Sequence, residues 1–133
     1  MSLLLDTNVL IRAERRGRAP DWSRWEDEGD AYLAAISASE LLIGVHRADT
    51  DARRVRRSAW VEAILGAVPV LPFDLETARV HAQLLAAIPR GVTVGAHDML
   101  IAATAVQHGL GVLTANVKEF ARIPGLRVLE LGT

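Results

Sequence analysis

Cysteine is absent from this chain, which removes disulfide scaffolds, thiolate metal sites and thiol nucleophiles together. Long apolar runs are absent as well. No window approaches the roughly 18 to 20 uninterrupted apolar residues of a membrane span, and Asp6 breaks the first run. Met1 to Leu5 carry no basic leader, so the expectation is a cytoplasmic protein with no membrane association. A net formal charge of −1 argues against a broadly basic coat for nucleic acid. Lysine is nearly missing, since of 15 basic residues only Lys118 is a lysine. The arginine excess suits either GC-rich coding or phosphate recognition. No repeat, low-complexity segment or linker divides the 133 residues, which have the length of one domain, 1–133.

What is present is an alternation of short β-type runs and helical periods. Strands are expected at Ser2–Leu5, Ala31–Ile36, Val68–Phe73, Gly111–Thr114 and Arg127–Leu131. Pro69 and Pro72 suit the ends of the third. Helices are expected at Thr7–Arg15, Pro20–Glu28, Ser37–Arg47, Thr50–Leu65 and Asp74–Ile88, with breaks at Gly17–Pro20 and in the loop ending at Gly95. His97–His108 is apolar nearly all round and reads as a buried helix. Val117–Ala121 reads as one helical turn. Such alternation implies right-handed βαβ units and a three-layer α/β/α domain on a central, mostly parallel sheet.

In open α/β sheets ligands collect beyond the carboxyl ends of the strands, and acids fall there repeatedly. Asp6 follows the first strand, and Glu40 stands on the first turn after the second. Asp98 opens the buried helix, and Asn116 and Glu119 follow the strand ending at Thr114. Carboxylates gathered without basic partners repel, so a site that collects them suits a hard divalent cation. Each acid also has a purely structural reading. Asp6 could cap the helix at Thr7, and Ser37 with Glu40 has the spacing of a capping box. Asp98 could complement its helix dipole, and Glu119 could pair on the surface with Lys118 or Arg122. Asp74 also follows a strand and begins a helix, so position alone does not select among the acids.

Four segments, in order, resemble the motifs of PIN domains. They are Asp6-Thr7-Asn8 after the apolar strand, Ser39-Glu40-Leu41, His97-Asp98-Met99-Leu100-Ile101-Ala102-Ala103-Thr104-Ala105, and Leu113-Thr114-Ala115-Asn116-Val117-Lys118-Glu119-Phe120. The tail Arg122-Ile123-Pro124-Gly125-Leu126-Arg127-Val128 is similar to VapC-type toxins. The resemblance implies a PIN-like domain with a parallel sheet and an endoribonuclease site dependent on Mg²⁺ or Mn²⁺. Asp6, Glu40, Asp98 and Glu119 match its acidic quartet, with Asp6 and Asp98 as metal ligands. Thr7 and Asn116 match positions that orient ligands or waters. In-line attack by water is then expected, leaving a 5′-phosphate and a 3′-hydroxyl. The implied partners are RNA, a VapB-type antitoxin whose tail wraps the toxin, and a second copy of the chain.

Other residues carry rival readings. His97 borders Asp98 and suits either a phosphate or plain capping. His46, His81 and His108 lack metal-ligand spacing. Arg53, Arg54, Arg56 and Arg57, followed by Trp60, form either a solvated face or a guide for RNA. Trp22 and Trp25 share a helix face suited to packing or to a partner's segment. Alternative functions are a PIN nuclease of RNA processing without an antitoxin, a receiver domain phosphorylated on aspartate, and an inactive binding module.

Overall fold

The computed structural model describes residues 2–16 and 29–131. The expected helix at Pro20–Glu28, including Trp22 and Trp25, and the Gly17–Pro20 break lie outside the described residues.

Strand β1 (Leu3–Leu5) is three leucines, all buried. It pairs in parallel with β2 (Ala31–Ala34) on one side and β4 (Gly111–Thr114) on the other. A strand flanked on both edges and covered on both faces reads as an unbroken apolar run. The side chains nevertheless alternate. Leu3 and Leu5 join one apolar cluster with Leu113, whereas Leu4 joins the other with Val112. That period of two marks the two faces of the sheet.

The remaining strands are β3 (Val70–Leu71) and β5 (Val128–Glu130), and the sheet runs β3-β2-β1-β4-β5, parallel throughout the described pairs. Helices α1 (Thr7–Arg15), α2 (Ala35–His46) and α3 (Asp51–Ala67) supply Val9, Leu10, Leu41, Val45 and Val61 to the Leu3–Leu5 face. Helices α4 (Leu75–Ala87), α5 (Ala96–His108) and α6 (Val117–Phe120) supply Leu84, Met99, Ala102 and Phe120 to the Leu4 face. The three-layer α/β/α architecture expected from alternation is the one observed. Helix α5 is buried over Met99 and Ile101–Ala105, and its alanines let it lie close to the sheet. It stops at Gly109, whose φ of 67° needs glycine, while the Leu110 amide donates to the Ala105 carbonyl at 2.8 Å. No helix among the described residues is long and apolar enough to cross a membrane.

Two expected boundaries fail for physical reasons. The second strand stops at Ala34, where its pairing with Leu71 ends, and α2 starts at once at Ala35. Ser37 is therefore the third helical residue, fully buried, and its hydroxyl makes no hydrogen bond among the described residues. The capping-box reading of Ser37 and Glu40 is wrong, and Glu40 stands on the second helical turn instead of the first. The third strand shrinks from Val68–Phe73 to two residues, because Pro69 and Pro72 bracket it and neither can donate to a ladder. Pro69 still accepts, taking the Leu33 amide at 2.9 Å.

Burial ranks the sensitivity of the fold. Leu4→Ala, at a fully buried position of the central strand, should cost about 3 kcal/mol in urea denaturation. Leu75→Ala, at an exposed position of α4, should stay within about 0.5 kcal/mol of the parent.

Candidate functional site

The strand order fixes where a site can form. From β1 the chain proceeds outward through β2 and β3, then returns to β4 on the other side of β1. The switch point lies between the carboxyl ends of β1 and β4, where an open α/β sheet leaves a crevice. Asp6 follows β1 there, and Thr114 ends β4.

Asp6 is 5% exposed. It stands at the N-cap position of α1 but its side chain makes no cap hydrogen bond. The carboxylate accepts instead from the Thr114 hydroxyl at 2.7 Å, across 108 residues of sequence. Burial raises the Asp6 pKa, and the Glu40 charge adds to it, against hydrogen bonds from Thr114 and the Thr7 amide. The capping reading of Asp6 therefore falls away. Thr114 also accepts the Asn116 amide at 2.8 Å, so one buried hydroxyl ties Asp6 to the fourth motif. Asn116 is exposed at the start of α6 and its side chain makes no cap hydrogen bond.

Glu40 reaches the same end of the sheet from α2. The Thr7 hydroxyl donates to Glu40 Oε1 at 3.2 Å, and His97 Nδ1 lies 3.6 Å from that oxygen. Asp98 is the third residue of α5, partly buried, with no hydrogen bond to its carboxylate among the described residues. Its pKa is raised from 3.8 to about 6, first by burial and then by the charges of Asp6, Glu119 and Glu40, against His97. Asp98 thus feels all three other acids as well as its own burial. Glu119 on α6 accepts the Gly95 amide at 2.8 Å through Oε1 and faces Arg122 Nη1 at 3.4 Å through Oε2. The surface-pair reading of Glu119 holds in part, with Arg122 as its partner.

The structure therefore brings together all four expected acids, with Thr7 and His97. Asp74 stays apart as a helix cap, its carboxylate accepting the Thr77 amide at 3.0 Å. Thr114 and Gly95 were missed as partners of these acids, whereas Arg122 was placed beside Glu119. A small hydroxyl residue at the end of β4 was the available signal for Thr114; Gly95 had none.

The basic run on α3 is mostly spoken for. Arg53 pairs with Asp49 at 2.7 Å, Arg54 with Asp51 at 2.6 Å, and Arg57 with Glu14 at 3.1 Å. A cleft of about 180 Å³ is lined by Arg57 and Glu14 of the last pair, by Ile11, Leu41, Trp60 and Val61, and by Glu40. His81 packs edge-on against Phe73, away from the acids.

Among the described residues no group of three or more histidines or acids is arranged to hold a metal ion as it stands. The donor set nevertheless suits Mg²⁺, which takes one or two carboxylates and keeps several waters. Asp6 and Asp98 are hard oxygen donors whose repulsion no arginine among the described residues relieves, and a divalent cation would relieve it.

Comparison with known proteins agrees with this arrangement. The chain matches the PIN domain family over residues 3–126. It is 40% identical over 134 residues to Ribonuclease VapC1 of Rickettsia felis, covering 100% of this chain and 98% of that protein. It is 32% identical over 129 residues to the tRNA(fMet)-specific endonuclease VapC of Salmonella typhimurium, covering 96% of each. It superposes on a DNA-bound VapBC crystal structure from Salmonella typhimurium with a TM-score of 0.86 at 30% identity, over 98% of both chains. The receiver-domain alternative fails on topology, because that fold orders its strands 2-1-3-4-5 and this sheet runs β3-β2-β1-β4-β5.

The raised Asp98 pKa has a signed consequence for stability. Between 3.8 and about 6 the folded protein holds a proton that the unfolded chain releases, so stability falls as pH rises through that window. Asp98→Asn removes the loss. In metal-free protein at pH 7.5 it should add about 1 kcal/mol, discounted for a carboxylate that water still reaches. The gain should vanish near pH 4, as read by urea denaturation at the two pH values.

Proposed function

The chain belongs to the PIN-domain family, and we propose that it is a metal-dependent endoribonuclease, the toxin of a VapBC-type toxin–antitoxin pair. One observation carries the reading: acids from four separate elements meet at the switch point of the sheet, and Asp98 feels the charge of the other three. The likeness to proteins named VapC ribonucleases over nearly the full chain supports it. On this reading residues 1–133 act as one PIN unit in the cytoplasm, where the RNA is, and pair with a second copy as the family resemblance implies.

Asp6 and Asp98 would hold Mg²⁺ or Mn²⁺. Bound there, the ion would supply Lewis-acid stabilisation of charge on the scissile phosphate and make a nearby water more acidic. Thr114 fixes the Asp6 carboxylate by donating its only hydroxyl hydrogen to it. Thr7 does the same for Glu40, leaving Glu40 Oε2 as an acceptor for the proton of the attacking water. The Asn116 side chain stands exposed beside this group, where it can orient water or phosphate. The water oxygen bonds to phosphorus, the bond to the 3′-oxygen breaks, and that oxygen takes up a proton. A 5′-phosphate and a 3′-hydroxyl remain.

The antitoxin follows from the same charges. A pocket that attracts a cation also attracts guanidinium, which pairs with carboxylate through two donors. A segment laid along the Ile11–Leu41–Trp60 floor passes Glu40, and from there a basic side chain reaches the acids. Trp60, in the lining of that cleft, offers the segment an apolar contact.

Purified protein with Mg²⁺ or Mn²⁺ should cleave total RNA to products with 5′-phosphates, and excess EDTA should stop it; undiminished cleavage in EDTA would refute the metal assignment. Alanine in place of the antitoxin's inserted basic residue should weaken inhibition more at low than at high metal, since the cation competes for the same acids. Inhibition unchanged at every metal concentration would remove the insertion from the picture.

A further inference from the structure

Asp98 has a competing use within its own helix. Gly95 is the N-cap of α5 and Asp98 the third residue after it. In that register an acidic side chain can bend back to accept the N-cap amide, closing half of a capping box. Proximity favours the contact, since a Cβ placed on Gly95 would lie 3.5 Å from Asp98 Oδ2. The amide is nevertheless taken from outside the helix, by Glu119 Oε1 at 2.8 Å. The same Cβ would lie 3.7 Å from that oxygen, so both carboxylates crowd one residue and only one holds its N–H.

Glu119 is held in this position from the other side. Arg122 Nη1 faces Glu119 Oε2 at 3.4 Å and donates to the Thr93 carbonyl at 2.9 Å. The guanidinium thus spans α6 and the loop that leads into α5. Both Glu119 oxygens are engaged, whereas Asp98 has no hydrogen-bond partner among the described residues. We propose that Glu119 is a positioning residue that caps α5 in place of Asp98, and that by occupying the Gly95 amide it leaves Asp98 free to bind the cation. Gly95 and Arg122 belong to the same device. The consequence for the cation rests on the nuclease reading; the exchange of partners at Gly95 does not.

Two measurements test the two parts. The first is amide hydrogen exchange at Gly95 without metal. Exchange should be slow in the parent and remain slow in Glu119→Ala, because Asp98 takes over the amide. It should become fast in Glu119→Ala/Asp98→Ala. Fast exchange in Glu119→Ala alone would overturn the proposal, whatever the RNA chemistry turns out to be. The second is Mn²⁺ binding to RNA-free protein, read by paramagnetic resonance of the free ion. Glu119→Ala should weaken binding about tenfold, as loss of a supporting partner does. Glu119→Gln keeps an oxygen for the amide and should stay near the parent. Gly95→Pro added to Glu119→Ala removes the amide, and the Gly95 φ of −57° suits proline; it should restore binding. Equal losses in Glu119→Gln and Glu119→Ala, or no restoration by proline, would make Glu119 a direct ligand and refute its positioning role. A parent that binds no Mn²⁺ would refute the nuclease reading and the proposed consequence for the cation, with the exchange result still deciding the Gly95 contact.

Discussion

Carboxylates brought together in a half-buried pocket repel, and the structure is arranged around holding them against that repulsion. Burial first, and the charges of the other three acids second, push the Asp98 pKa to about 6, and burial with a smaller push from Glu40 raises Asp6 as well. No local element could oppose such a force, because Asp6 and Asp98 lie in different parts of the chain. The opposition comes from β1, whose three leucines are buried in two apolar clusters at once. Each buried leucine is worth about 1.5 to 3 kcal/mol, so the central strand can carry an acid at its end that would otherwise push the neighbouring elements apart.

The partners given to the acids differ in kind, and the difference is chemical. Asp6 and Glu40 are held by threonine hydroxyls at 2.7 and 3.2 Å. A neutral donor fixes an oxygen without cancelling its charge, so the carboxylate stays attractive to a cation. Arginine would fix it more strongly and neutralise it. Among the described residues, the arginine contact to the quartet falls on Glu119, the acid whose oxygens are both engaged. Hydroxyls fix Asp6 and Glu40, a guanidinium contacts Glu119, and Asp98 has neither among the described residues, a division that spacing does not reveal.

That division marks where the sequence was legible. The first helix at Thr7–Arg15 and the strand at Gly111–Thr114 were read with their observed bounds, since local signals define both. Asp6 and Asp98 were found because strand ends and helix starts are visible in the pattern of apolar residues. Ser37 misled because a serine three residues before a glutamate looks like a cap, while the observed turn from β2 into α2 uses Ala34 and no side chain at all. Thr114 and Gly95 escaped because their roles depend on partners 108 and 24 residues away, and no local period encodes such a distance.

Three of the arginines do work that a lysine could not. Arg54 joins Asp51 to the Ala48 carbonyl, Arg57 joins Glu14 to the Gly44 carbonyl, and Arg122 joins Glu119 to the Thr93 carbonyl. Each side chain bridges an acid and a backbone oxygen, a task for which a fork of several donors is suited and a lysine ammonium is not. The Gly44 carbonyl lies in the last turn of α2, where helix oxygens otherwise lack partners, and the Ala48 carbonyl follows just beyond its C-cap. Arginines paired in this way offer less to a phosphate chain than free ones, and the net charge of −1 adds no general attraction. On the proposed nuclease reading, a cation held by Asp6 and Asp98 would supply much of the attraction of RNA to this face. The acids that appear to repel a polyanion would be the means by which it is held.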